Sequence, residues 1–410
     1  MHSVRRQHGW VALALVAGLL STAASATAAT RVEFWTPFGA GTNLETLNEL
    51  IARFHELEPD IEVVHRGVPG DMAQQYKVAV AAGTPPDIGW VAPEWFPEFY
   101  TEDILVPVDA LARRDGLDVR QFWPGTWGET LGGRQWGYPF EIGSEALIYN
   151  QDQFAAAGLG ASPATWDDFL TAAQKLTRPD EGRFGAQVGW AGYIAVQWLW
   201  RNGGGLVSED LTQATLTDPR TVEALQWYVD LEVEHGVAGG GVPQGTSAMI
   251  VVHPGWYGLA QTFPFEFGTG PAPIPQGGQR ASLSYYKELV IFKTEPVRQE
   301  AAWRFVKWLM APEQNAVWAT RTGYLPISRA VLQTERYREY LRANPRLNPW
   351  LDELNHIRSF PYIPAYGQIL ALLEQAIGRI RQGEAAYPVL SSLQPRAQAL
   401  LDEERERQAR

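Results

Sequence analysis

Cysteine is absent from these 410 residues, and histidine and methionine are scarce, at 7 and 4. Without cysteine there is no disulfide framework, no thiolate metal site and no cysteine to carry a lipid anchor. After the first thirty positions only His55, His65, His235, His253 and His356 remain, scattered and never paired at helical spacing, so a zinc centre is not expected. Also missing are a phosphate-cradling loop, a dinucleotide glycine fingerprint and a strained serine elbow, which leaves no familiar enzyme signature. Positive charge is in deficit, with 34 basic against 46 acidic residues, which argues against nucleic acid or an anionic membrane surface as partner. No internal repeat or low-complexity linker occurs, so the chain reads as interwoven lobes, not beads on a string. No cofactor is expected.

What is present begins with "MHSVRRQHGW VALALVAGLL STAASATAAT": Arg5 and Arg6, an apolar run from Val11 to Leu20, then small residues. This pattern is that of a cleaved secretory signal over 1–28, and the apolar run is too short to span a membrane. Export of a mature protein without a lipid anchor follows as an expectation. The remaining length exceeds what one hydrophobic core usually supports, so two lobes are expected. Tryptophan is abundant, with 17 residues, more than a core alone needs, and flat apolar surfaces for a ligand are implied.

Strand-like and helix-like patterns alternate. "RVEFW" (Arg31 to Trp35) alternates as a strand; "TNLE" offers a capping box through Thr42 and Glu45; Leu44, Leu47, Leu50, Ile51, Phe54 and Leu57 follow at helical spacing; "IEVVH" is a second strand. Such a strand, helix, strand opening builds parallel sheets. In "AAGTPPDIGWVAPEW" a helix from Tyr76 stops at Gly83 to Pro86, Asp87 starts a short strand as a turn cap, and Glu94 and Trp95 emerge at its carboxyl end. Ligands of open α/β sheets collect at such ends. Farther on, "WGYPFEIGSEALIYN" and "SLSYYKELVIF" are candidate crossings between lobes, Thr165 caps a helix, and "GTSAMIVVHPGWYG" reads as strand then turn. Two helices split by Pro312 end at Gly323, Ile369 to Ile380 is an amphipathic helix, and "LDEERERQAR" reads as a solvated charged end.

"EFW", "AAGTPPDI", "GYPF" with "LIYN", "PATWDDF", "GTSAMIV" and "FVKWLMAPEQNAVWATRTGYLPIS", in that order from Arg31 to about Leu390, resemble the extracellular solute-binding proteins of ABC importers, in the class of the maltose-type and glycerol-phosphate-type proteins. The resemblance implies a periplasmic-binding-protein-like α/β fold, two α/β lobes joined by a multi-segment hinge with the ligand cleft between them. Lobe boundaries of 29–139 with 288–328, and 140–287 with 329–410, are expected. It also implies the site: Trp35, Thr36 and Phe38 after the first strand, Glu94 and Trp95, the hinge-side Glu141, Trp190 and Tyr193 in "GWAGYIAVQW", Trp256 and Tyr257 in "HPGWYG", then Tyr286, Lys287 and Tyr324.

Two departures bear on specificity. "SYYKEL" replaces the paired glycines common in the family, so Tyr285, Tyr286 and Lys287 intrude on the cleft. The late-helix arginine of the glycerol-phosphate relatives has no counterpart, Leu370 standing in its place, which leaves Lys287 as the available charge for a phosphate. Indole faces suit the apolar face of a sugar ring, while carboxylates and tyrosine hydroxyls suit its rim. The expected function is therefore capture of a di- or oligosaccharide in the periplasm by a monomer, for delivery to the permease of an ABC importer. Glycerol-3-phosphate or a glycerophosphodiester is the alternative ligand. A secreted glycosidase using two of Glu94, Glu141 and Glu145 is the enzymatic rival, and His253 is assigned to the framework.

Overall fold

The computed structural model describes residues 28–92, 95–126 and 134–408. The expected signal segment lies outside them but for its last residue, and Glu94 lies outside them as well. In chain order the strands are β1 (Thr30–Thr36), β2 (Ile61–Gly67), β3 (Ile88–Val91), β4 (Gly137–Glu141), β5 (Ala146–Asn150), β6 (Phe184–Gln187), β7 (Ser247–Val252), β8 (Phe267–Pro271), β9 (Ser282–Leu283), β10 (Lys287–Ile291) and β11 (Ile357–Arg358).

They form two main sheets. The first has the order β2-β1-β3-β10-β4 and the second β6-β7-β5-β8, with β9 and β11 pairing apart. β1 runs parallel to β2 and β3, whereas β10 is antiparallel to β3 and β4. All four residues of β3 are buried, as a strand covered on both faces requires. The helix Gly41–Leu57 connects β1 to β2 and buries Leu47, Leu50, Ile51 and Phe54, the three-and-four spacing read in the sequence.

The chain passes from the first sheet to the second between β4 and β5, and returns between β9 and β10. After β10, the helices Pro296–Leu309 and Pro312–Thr322 pack on the first lobe, and Pro364–Arg381 and Ala386–Gln408 on the second, which makes a third passage. Backbone hydrogen bonds tie the passages together: Tyr285 N–H donates to Gly143, and Ser284 N–H to Arg358. In β5, Ala146 and Ile148 join a core shared with Trp350 and the first lobe, whereas Leu147 faces the second lobe's own core. Period-two alternation thus places one strand between two cores.

Local readings hold at several ends. Thr165 Oγ1 accepts from Asp168 N–H, and Gly323 stops its helix at φ 82°, where a side chain would be strained. Four differ. The capping box is not formed, because Gly41 takes φ 77° and begins the helix two residues before the start that a Thr42 cap requires, which leaves Thr42 inside the first turn. "GWYG" is a short helix, Gly255–Ala260, in place of a turn. The charged C-terminal stretch is helical, and Leu393, Ala397, Leu401 and Glu404 keep one buried stripe at helical spacing. Asp87 is structural, but as a cross-link in place of a turn cap: its buried carboxylate accepts from Glu33 N–H, Thr294 and Arg298 at 2.8, 2.8 and 2.6 Å.

Candidate functional site

Between the two sheets lies a cavity of about 420 Å³, inside the usual ~300–1,000 Å³ of small-molecule sites. The first lobe contributes Glu141 from the end of β4, Lys287 from the start of β10, and Tyr324 just past the glycine stop of Pro312–Thr322. The second lobe contributes Gln187 at the end of β6, Ile250 to Val252 of β7, His253, Trp256, and Tyr193 with Ile194 on the helix Gly192–Arg201. Tyr285 and Glu145 come from the passages between them.

Burial sets the electrostatics. It pushes the Glu141 carboxyl up to about 8, against the opposing pull of the Trp90 N–H and the Lys287 charge. Burial likewise raises Glu145, which accepts from the Tyr285 hydroxyl at 2.8 Å and pairs with Arg201 at 3.3 Å, both partners of the ion pair being 1–2% exposed. Tyr285 and Tyr324 are held neutral, first by burial and then by the carboxylate beside each. Burial also lowers His253, whose Nδ1 accepts from Gly255 N–H at 3.2 Å and leaves the proton of the neutral ring on Nε2, a donor. Gln187 gives its carbonyl to Val242 N–H and keeps its amide N–H₂ for other partners. Aromatic faces, apolar β7 side chains and a few fixed donors and acceptors are what a polyhydroxylated ring requires.

Of the residues nominated from sequence, Glu141, Tyr193, Trp256, Lys287 and Tyr324 line this cavity. Glu94 lies outside the described residues, and the others pack elsewhere. Trp95 stands edge-on to Trp90 at 6.1 Å and does not line the cavity. Trp35 stacks on Tyr76 with Arg66 over its other face, and Phe38 is wedged against Trp318 and Trp90, both consumed by core packing. Trp190 lies between Tyr228 and Arg381. One helical step of about 100° separates Trp256 from Tyr257, which turns inward and donates its hydroxyl to Asn344 Oδ1. Tyr286 is buried with its hydroxyl against Tyr362.

Among the polar lining residues, Tyr285 is read from sequence only as intruding on the cleft, Gln187 is not singled out, Glu145 is weighed only as a glycosidase carboxylate, and His253, assigned to the framework, lines the cavity instead. The phase of β10 was a usable signal for the first: residues 285 and 287 share a side and 286 takes the opposite one. A larger groove of about 680 Å³ is built from second-lobe residues alone, between 203–220 and 358–366, so closing the lobes would not enclose a ligand there. Among the described residues no group of three or more histidine or acidic side chains could hold a metal ion, and no helix is long and apolar enough to cross a membrane.

Known proteins share this architecture. A crystal structure of the cyclic alpha-maltosyl-1,6-maltose binding protein from Arthrobacter globiformis superposes with a TM-score of 0.83 at 24% identity, covering 92% of this chain and 100% of that one. UgpB from Mycobacterium tuberculosis, in complex with glycerophosphocholine, gives 0.81 at 24% identity, covering 92% and 99%. Among sequence relatives, the sn-glycerol-3-phosphate-binding periplasmic protein UgpB of Escherichia coli is 26% identical over 82% of this chain and 83% of its own length. The maltotriose-binding protein of Pyrococcus abyssi is 24% identical over 82% and 74%. The fold is therefore the two-lobed one of periplasmic sugar-binding proteins. The sequence model of one family spans residues 40–316, running from the first helix of one lobe, through the whole sheet of the other, and back into the first; the chain belongs to the bacterial extracellular solute-binding proteins.

Proposed function

We propose that this protein captures a carbohydrate, a di- or oligosaccharide, in the periplasm and presents it to the permease of an ABC importer, acting as a monomer and without catalysis. The observation that carries this is the cavity between the sheets, where Trp256, Tyr193 and Tyr285 supply aromatic surface and Glu141, Lys287, His253 and Gln187 supply hydrogen-bonding groups from both lobes. A ligand touching both walls stabilises the closed arrangement by its differential affinity for it. A lobe division near 139/140, 287/288 and 328/329 is part of this proposal, with Glu141 and Lys287, at the ends of β4 and β10 in the first sheet, taken into the first lobe. Binding of maltotriose by one relative supports this ligand class, and binding of glycerol-3-phosphate by another supports the phosphorylated alternative. Against the glycosidase rival, Glu145 is occupied by Arg201 and Tyr285, which removes a free nucleophile. Lys287 keeps the phosphorylated alternative open as a second reading.

Thermal unfolding of refolded, ligand-stripped protein against neutral disaccharides, glycerol-3-phosphate and glycerophosphocholine tests the proposal. A ligand at a hundred times its Kd stabilises by about 2.7 kcal/mol. No shift with any neutral saccharide would refute the carbohydrate reading.

A further inference from the structure

Glu141 and Lys287 are register partners across β4 and β10, and both face the cavity. Trp90, on β3, serves both. Its indole N–H donates to Glu141 Oε2 at 3.1 Å, and its ring lies beneath the Lys287 ammonium, with Nζ 5.5 Å from the centroid. One carboxylate oxygen is thereby fixed and the other left over: Glu141 Oε1 is buried with no hydrogen-bond partner among the described residues. Tyr324 lies beside the carboxyl but outside hydrogen-bonding geometry for Oε1. A buried acceptor without a donor costs free energy, and a ligand hydroxyl that supplies the donor recovers it. Beside it, the ammonium offers donors to a second ligand oxygen.

An acceptor and a donor set next to each other on one wall match two adjacent hydroxyls of a single ring, one donating to Oε1 and its neighbour accepting from Nζ. An anionic group fits poorly. It would satisfy the ammonium but, once Glu141 is ionised, set its charge against that carboxylate, and Arg201 is already engaged by Glu145. Resting on the carbohydrate reading above, we propose that Glu141 and Lys287 form a paired reader of a vicinal diol on an uncharged sugar, and that the pair, with Glu141 ionised, makes the site reject phosphorylated and carboxylated sugars.

The groups facing Glu141 are Trp90, Lys287 and Tyr324, and burial outweighs them in holding its carboxyl up to about 8. An anion enters only while Glu141 keeps its proton, so discrimination sharpens as pH rises through that region.

Calorimetric titration of the ligand-stripped protein with maltose, trehalose and sucrose, and with glycerol-3-phosphate and glucuronate, at pH 6 and pH 9, tests this in wild type, E141Q, K287M and the double variant. The expected result is binding of a neutral disaccharide that each single substitution weakens about 10- to 100-fold, the scale of one hydrogen bond to a charged group, with the double variant losing less than the product. The neutral-to-anionic affinity ratio should rise from pH 6 to pH 9 in wild type and stay flat in E141Q. Should K287M fail to fold, E141Q carries the test alone, because it replaces the buried carboxyl with an uncharged amide of the same shape. Tighter binding of an anionic probe by wild type overturns the diol reader while solute capture stands. Neutral binding that is indifferent to both substitutions overturns it too. No binding by any probe removes the carbohydrate reading and the reader together.

Discussion

The Tyr285 hydroxyl donates to Glu145 Oε1 at 2.8 Å, joining the passage before β10 to the passage before β5. Glu145 also holds Arg201, so one carboxylate anchors a cavity-lining ring to the interior of the second lobe.

Tyr285→Phe removes the donor and leaves part of a buried carboxylate unsatisfied. A loss of about 1.5–3 kcal/mol is expected. Arg201→Met should cost more, about 3–5 kcal/mol, because it strands the charge of Glu145, and pairing it with Glu145→Leu should restore much of that. Urea unfolding of the three variants checks the order, which the pairing predicts and simple loss of packing does not.

Trp256 and Trp95 should part company. Trp256 lines the cavity, so Trp256→Ala is expected to weaken saccharide binding by about 1–3 kcal/mol through lost ring contact and burial. Trp95 packs edge-on to Trp90 and does not line the cavity, so Trp95→Ala should shift affinity by well under that. Isothermal titration of both with the same disaccharide is the check, and equal losses would contradict the placement.

Glu141 gives a pH dependence with a definite sign. The folded protein keeps its proton up to about pH 8, whereas the unfolded chain releases it near the ordinary 4.5. Between those values the folded state binds more protons, so stability falls as pH rises, by up to ~1.4 kcal/mol per unit. Below 4.5 the penalty vanishes. Glu141→Gln lacks it, so the stability gap between variant and wild type should widen from pH 5 to pH 8 in urea titrations. A constant gap would refute the assignment.

Asp87→Ala should separate stability from binding. Its carboxylate links β1, β3 and the residues after β10, and losing it is expected to cost about 3–5 kcal/mol. Saccharide affinity, measured well below the melting point, should be unchanged.

Helices and strands were legible where local physics decides. Thr165, Pro312 and Gly323 act through their own backbone neighbours, and the buried positions of Gly41–Leu57 follow from spacing alone. Thr42 failed as a cap because the φ of one glycine, which the sequence does not print, moved the helix start. The cavity was half legible. Glu141 and Lys287 could be nominated singly, but their pairing arises from a strand register between residues far apart in sequence. Trp35, Phe38 and Trp190 were nominated for their chemistry and then claimed by Tyr76, Trp318 and Tyr228, and no composition count tells an indole that meets ligand from one that meets another ring.

The position of β10 bears on how the molecule assembles. It lies between β3 and β4 in the first sheet, yet it is drawn from Lys287–Ile291, after every strand of the second sheet has been made. During synthesis, β3 and β4 must wait with unpaired edges until that late segment arrives. Contacts of such long sequence separation close slowly, so the first lobe to emerge cannot finish until the second sheet has been made.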